Sequence, residues 1–354
     1  MYPSLEIDLT KLRKNTEVIT SLCKEAGLEV YGVSKVFCAI PEAAQVMVDA
    51  GVVGLADSRI ANIKKMSQIE AYKVLLRIPM QSMVKEVIKY VDLSFNSEIS
   101  TIRLLNQEAN QQNRVHDIML MIDLGDLREG IFFKDDYMTV IDEIMSMKHI
   151  NLKGLGTNLT CYGGIIPYPE TLNPLVKIKQ EVLEKHNFEV EILSAGNSSS
   201  IHLIEKGEIS PEFNNLRLGE SLVLGYETAF GDRIKDTYND VFTLKAEIVE
   251  LQEKPSYPLG EIGRDAFGNV PVIEDKGMMK RAIMGIGRQD VNPDNLIPFN
   301  DKIEVIGASS DHLIVDVSNS DKNYQVGDII EFELTYGSLL NLATSEYVYK
   351  KIKK

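Results

Sequence analysis

Two hydrophobic rhythms divide the chain. Up to about residue 226, short apolar runs alternate with stretches whose apolar positions recur every three or four residues. These are the periods of buried strands and amphipathic helices. "EVYGVSK", "VVGLAD", "YKVLLRI", "VDLSFN", "HDIMLMIDLG", "LKGLGTN", "EVEILSAGN" and "NNLRLG" read as strands. "PEAAQVMVDAG", "SRIANIKKMSQ", "SEISTIRLLNQEANQQ" and "PETLNPLVKIKQEVLEKHN" read as helices between them. A first helix starts after Asp8, carries Leu12, Val18, Ile19 and Leu22 at helical spacing, and stops at Gly27. Eight strand–helix alternations is the number that closes a parallel (β/α)8 barrel.

Beyond Tyr226 the rhythm shortens to two. "VFTLKAEIVELQEK", "KRAIMGIGRQDV", "NDKIEVIGASSDHLIVDVS" and "VGDIIEFELTYGSLL" alternate apolar and polar positions, with Gly, Pro, Asn and Asp between them. The expected architecture is α/β: a (β/α)8 barrel over residues 1–226, followed by a mostly β C-terminal domain over 227–354. Residues 1–8, which precede the first helix, are free to pair with that second domain.

Bulk numbers narrow the function. A chain of 354 residues, 44% apolar and 25% charged, suits two globular domains. The balance of 38 cationic and 52 anionic side chains gives −14, which argues against nucleic acid and anionic membrane surfaces as partners. No window approaches a membrane span, and "MYPSLEIDLTKLRKN" has no apolar signal core, so a cytoplasmic location is expected. Cys23, Cys38 and Cys161 make no disulfide framework, and the five histidines have no metal-ligand spacing.

Barrel enzymes work at the C-terminal ends of their strands, and the unusual residues of this chain fall there. Strand one ends at Lys35, strand three near Arg77, strand four at Asn96, and strand five runs into "DLGDLREG" with Arg128. Strand six ends in "GTNLTCYGG" with Asn158, seven in "SAGNSSS" and eight in "LRLGE" with Arg217. "GNSSS", with Asn197 and Ser198, enters a helix and can cup an anion with backbone N–H groups and hydroxyls. Gly219 allows the backbone of the next loop to come close. A phosphate there and a lysine on strand one point to pyridoxal phosphate held as a Schiff base.

"GVSKVFC", "MIDLGDLREGI", "GTNLTCYGG", "GNSSS", "NNLRLGE" and "GIGRQDV" together resemble the alanine-racemase-type, fold-III pyridoxal-phosphate enzymes, over nearly the whole chain. The resemblance implies that Lys35 is the Schiff-base lysine, that Arg128 contacts the cofactor's phenolate side, and that Arg217 faces the pyridine nitrogen. It implies a phosphate cup of Ser198, Gly219 and Glu220 (through its backbone), reached also by Tyr336 of "LTYGSLL". It further implies a head-to-tail homodimer and an amino-acid racemase, with ornithine as the substrate. The alternatives are a fold-III decarboxylase or dehydratase of a basic or D-amino acid, and a non-catalytic cofactor carrier.

Three positions depart from that family. Ala39 stands for a phosphate-contacting tyrosine, Asn158 for the histidine behind the pyridine-facing arginine, and Arg288 of "GRQDV" for the tyrosine base. The second acid/base is therefore open among Cys161, Tyr162, Asp290 and His312, each of which also has an ordinary structural reading. Asp290 is expected to accept the distal ammonium of a basic substrate, with Arg288 holding it in place.

Overall fold

The computed structural model describes residues 1–354. After β1 (Ser4–Asp8), the strands of the first half are β2 (Glu29–Val33), β3 (Gly54–Asp57), β4 (Tyr72–Leu75), β5 (Leu93–Asn96), β6 (His116–Asp123), β7 (Ile131–Phe132), β8 (Ile150–Gly156), β9 (Ile192–Ser194) and β10 (Asn215–Leu218). Pairing runs β5-β4-β3-β2-β10-β9-β8-β6, and β5 also pairs with β6, so the ring closes as an eight-stranded parallel barrel. The two-residue β7 only extends β6. Tyr31, Val33, Leu93, Phe95, Met119 and Met121, spaced two apart on their strands, belong to one buried cluster.

Helices link the strands: α1 (Leu9–Glu25), α2 (Pro41–Asp49), α3 (Ile60–Lys65), α4 (Val84–Tyr90), α5 (Ile99–Gln111), α6 (Tyr137–Met145), α7 (Pro169–His186), α8 (Ile201–Glu205) and α9 (Glu220–Leu224). Gly27, at φ +76, ends the turn after α1 and returns its N–H to the Lys24 carbonyl at 3.0 Å. No helix is long and apolar enough to cross a membrane.

The second half contains β11 (Phe242–Pro255), β12 (Met278–Met284), β13 (Leu296–Pro298), β14 (Glu304–Ala308), β15 (Leu313–Asp316), β16 (Ile329–Leu334), α10 (Tyr336–Thr344) and β17 (Tyr349–Lys353). Their sheet runs β13-β16-β11-β12-β15-β14 through antiparallel pairs, and β1 lies between β11 and β17. The chain thus forms two compact units, Leu9–Tyr238 and Met1–Asp8 with Asn239–Lys354.

The division falls at 238/239 rather than at the change of rhythm near Tyr226. The physical reason is Asn15, a fully buried amide on α1. Its Nδ2 donates to the carbonyls of Leu222 (3.1 Å) and Tyr238 (2.7 Å), and its Oδ1 accepts the Tyr238 N–H at 2.7 Å. Residues between them are turns around buried Glu227, which takes N–H groups from Ala229, Phe230 and Asp232. Turns satisfied by one buried side chain have no hydrophobic period to read.

Asn15→Ala strands these three backbone groups together. It should lower the stability of the barrel unit by about 2–3 kcal/mol. The expected sign is a lower urea midpoint at unchanged slope. A midpoint equal to the parent's would show that water replaces the amide.

Candidate active site

Lys35, Arg128, Asn158, Arg217 and the serine-rich stretch all lie at or just past the C-terminal ends of barrel strands. Lys35 lies two residues past the end of β2, not on the strand itself, because the chain turns at Ser34 into a single 3₁₀ turn, Lys35–Phe37. That turn is tightly fixed. Ser34 Oγ donates to Asp57 Oδ2 at 2.8 Å, and Asp57 also takes the Arg59 N–H and the Asn62 amide. Burial pushes the Asp57 carboxyl up, against those hydrogen bonds, which pull it down. Cys38 and Ala39, both left-handed at φ 54 and 53, then fold the chain back on the half-buried lysine.

Arg217, on β10, is 3% exposed and meets only neutral acceptors. It donates to Ser194 Oγ (2.6 Å), the Thr157 carbonyl (2.5 Å) and Asn158 Oδ1 (2.7 Å), and stacks over the Phe95 ring at 5.1 Å. Burial pushes its guanidinium down to about 10, which still leaves it charged at neutral pH. The nearest counter-charge is one amide away. Asn158 Nδ2 donates to Glu129, which is paired with the Arg128 guanidinium (Nη2–Oε1 2.6 Å). Arg128, Glu129, Asn158 and Arg217 therefore form one chain of alternating donors and acceptors. Flipping the Asn158 amide would set its NH2 against the guanidinium and its oxygen against the carboxylate, so its orientation is fixed at both ends. Gly130, at φ +130, is obligatory beside them, since a Cβ there would lie 2.5 Å from the Asp123 nitrogen.

The anion cup forms where β9 and β10 end. Ser198 Oγ and Ser221 Oγ are 3.0 Å apart, and a Cβ on Gly219 would meet the Val33 Cβ at 3.1 Å. Glu220 opens α9 beside them. The side chain of Asn197 has a structural role that the sequence reading did not give it. Its Oδ1 caps the Ser199 N–H at 2.8 Å, while its Nδ2 donates to the Leu159 carbonyl (3.0 Å) and Cys161 Sγ (3.2 Å). Its side chain thus ties the cup to the loop after β8. The hydroxyls of Thr157 and Ser199 are buried at these strand ends without a partner in the protein. Hydroxyls, helix starts, a lysine and two arginines at one mouth suit a phosphorylated aldehyde.

Several expected members stand apart. Arg77 is exposed against Met80, and Asn96 turns back to Ser94. Tyr336 is the first residue of α10, in the C-terminal unit. Arg288 and Asp290 both line a cleft of about 580 Å³ in that unit, with Phe267 and Asn341. They do not hold one another. Arg288 is exposed, donates to the Ala308 carbonyl at 3.0 Å and covers Phe267, whereas buried Asp290 accepts from Ser345 Oγ at 2.6 Å. Arg288 therefore does not hold Asp290 in place as expected, although both residues line the same cleft. His312 is exposed and paired with Asp311. Tyr162 is 77% exposed.

The sequence reading passed over Glu129, Asp57 and Asp126. Glu129 sits inside a motif read only for its arginine. Asp126 is buried and takes the N–H groups of Cys161, Tyr162 and Ile165, a long-range clamp with no local signature.

The alanine racemase N-terminal domain family matches residues 7–227. An ornithine racemase of Acetoanaerobium sticklandii is 51% identical over 352 residues, 99% of this chain and 100% of that protein. A lysine racemase of Thermotoga maritima is 38% identical over 99% of this chain and 98% of its own length. Alanine racemase from Clostridium difficile 630 shares the fold at a TM-score of 0.75 and 18% identity, covering 100% of this chain and 96% of that one. D-threonine aldolase from Filomicrobium marinum does so at 0.72 and 13%, over 97% of this chain and 88% of its own.

Glu129 makes the relay testable by pH. Burial alone would raise its carboxyl, but the Arg128 hydrogen bond and charge, with the Asn158 amide, hold it below the ordinary range. A depressed native value stabilises the fold above the unfolded pKa of about 4.3 and loses that contribution as pH falls through the native value. The parent's stability advantage over Glu129→Gln should therefore be full at neutral pH and shrink in acid. An advantage unchanged down to pH of about 3 would show that the carboxylate's charge is not what holds the relay.

Proposed function

The chain belongs to the alanine racemase N-terminal domain family, and from that premise we propose that it is a pyridoxal-phosphate-dependent racemase interconverting L- and D-ornithine. The observation that carries the reading is the full-length 51% identity to a racemase of that amino acid. The buried arginine on β10 gives it a chemical reason.

Lys35 would hold the cofactor's aldehyde carbon. Arg128 and Arg217 would border its ring, and Ser198, Ser221 and the backbone of Gly219 and Glu220 its phosphate. The bound cofactor supplies an electron sink for the α-carbon of the substrate. Arg217, charged at every working pH, would border the ring on its nitrogen side and would disfavour a proton there, which would suit return of the α-proton better than loss of carboxylate or a side-chain group. Once its amine is released by substrate, Lys35 Nζ can take the α-proton on one face and give it back. In the assembly we propose, two chains pair head to tail, and the partner's C-terminal unit brings its Tyr336 to the phosphate.

Purified protein with cofactor should invert ornithine faster than lysine, arginine or alanine, read by chiral chromatography across the four. Release of carbon dioxide or ammonia without an enantiomer would overturn the reaction assignment, and preference for alanine would overturn the substrate.

Borohydride reduction of the loaded protein should label Lys35. Lys35→Ala should lose both the cofactor's visible absorption and, by roughly 10³-fold, the racemase activity. A label on another lysine would remove Lys35 from its role.

A further inference from the structure

Inverting a stereocentre by moving one proton requires proton-handling groups on two faces, and Lys35 supplies only one. The order of strands around the barrel locates the other. Along the ring β2, β10, β9 and β8 are consecutive neighbours. The strand bearing Arg217 and the two strand ends forming the anion cup thus lie between the loop of Lys35, after β2, and the loop after β8. A molecule seated on β9 and β10 is flanked by those two loops. Resting on the racemase reading, we propose that the thiol of Cys161, in the loop after β8, is the second catalytic acid/base and serves the face opposite Lys35.

The loop is built to hold that thiol. Asp126 accepts the N–H groups of Cys161 (3.2 Å), Tyr162 (2.9 Å) and Ile165 (3.2 Å), and Thr160 Oγ1 donates to the Ile165 carbonyl at 2.7 Å. Thr160 itself is left-handed at φ 59, a costly conformation for a β-branched residue. At Gly163 a Cβ would come within 2.8 Å of the Asp126 carbonyl oxygen, so the chain passes close over the clamp.

The sulfur is also placed electrically. Asn197 Nδ2 donates to it at 3.2 Å from the first residue of the cup. Desolvation raises the thiol's pKa, while the cations of Arg128, Lys35 and Arg217 each lower it, the net being upward. The Asp126 carboxylate adds to the upward push, so the resting thiol is protonated, and three cations act on the thiolate left after donation at this solvent-exposed residue. Thr157, just after β8, and Ser199, in the turn after β9, carry buried hydroxyls without a partner in the protein. The other candidates are exposed or already partnered. Tyr162 is 77% exposed, His312 is paired with Asp311, and Asp290 accepts from Ser345, the last two in the C-terminal unit.

The proton balance is simple. From one enantiomer, Lys35 Nζ takes the α-proton as the C–H bond breaks, and the Cys161 S–H gives its proton to the opposite face, leaving thiolate. From the other enantiomer the thiolate takes the proton and the Lys35 ammonium returns one. Exchange with water resets the pair.

The test uses the loaded enzyme in D2O with each ornithine enantiomer. Cys161→Ala and the closer isostere Cys161→Ser should keep the cofactor's absorption and lose inversion by about 10²-fold or more. Both should still exchange the α-proton of a single enantiomer, the one facing Lys35, with its configuration retained. Iodoacetamide should alkylate Cys161 in the wild type, more slowly with ornithine present, and abolish inversion while sparing that one-sided exchange. Inversion at the parent rate in either variant or in alkylated enzyme would overturn the proposal. So would loss of exchange on both enantiomers with the cofactor spectrum intact. If the unmodified wild type neither inverts nor exchanges ornithine, the racemase reading falls first and takes this one with it.

Discussion

A desolvated cation organises the mouth of this barrel. Arg217 is buried among neutral acceptors, and taking a guanidinium out of water without compensation is strongly unfavourable. Compensation comes in layers: three oxygens on its fork, the face of Phe95, and the Glu129 carboxylate acting through the Asn158 amide. The amide relay lets the negative charge stay out of contact with Arg217. A carboxylate placed directly against the guanidinium would form a neutral pair and blunt its positive field at the ring. Arg128, at the far end, keeps Glu129 ionised. The charges of the site are thus interdependent, although they come from two strands, β6 and β10, joined by an amide that follows a third, β8.

Buried carboxylates do the mechanical work on either side. Asp57 gathers Ser34, Asn62 and a backbone N–H into the turn that presents Lys35. Asp126 gathers three backbone N–H groups into the loop that presents Cys161. Asn197 joins the second loop to the anion cup. Each device replaces water around a loop backbone with one fixed acceptor or donor. Such loops can hold left-handed non-glycine residues, as at Cys38, Ala39 and Thr160, because the surroundings over-determine them.

The barrel was legible because its signal repeats: eight apolar runs, each followed by a helix, leave few other closed solutions. The family motifs likewise marked Lys35, Arg128, Asn158 and Arg217, which the structure places at the end of the barrel where their strands terminate. Local precision was lower. Lys35 reads as the last residue of a strand because Val36 and Phe37 continue the apolar run, yet those two are buried by a 3₁₀ turn. What escaped entirely were charges whose meaning is non-local. Glu129 beside Arg128 looks like an ordinary surface pair until Asn158, 29 positions on, is seen to bind it. Asp126 reaches Cys161 from 35 positions away. Asn197 sits in the serine-rich cup, and its side chain also holds the loop after β8, a long-range role with no local signature.

The relay and the two rigid loops make one chemical argument. In the racemase proposed, an arginine bordering the ring would weaken electron withdrawal, so that charge left on the α-carbon would be short-lived. Short life is useful only if a proton is already waiting. An acid that must first swing into position on a flexible loop would arrive too late, and the barrier it failed to lower would be set by that search. Holding Lys35 and Cys161 on loops clamped by buried Asp57 and Asp126 removes the search. A weak sink would then select against slower competing bond cleavages, while the fixed donors would keep proton return fast. On this view the unfavourable burial of Arg217 confers reaction specificity, and the hydrogen bonds that surround it are the structural condition for keeping that cation where water would otherwise hold it.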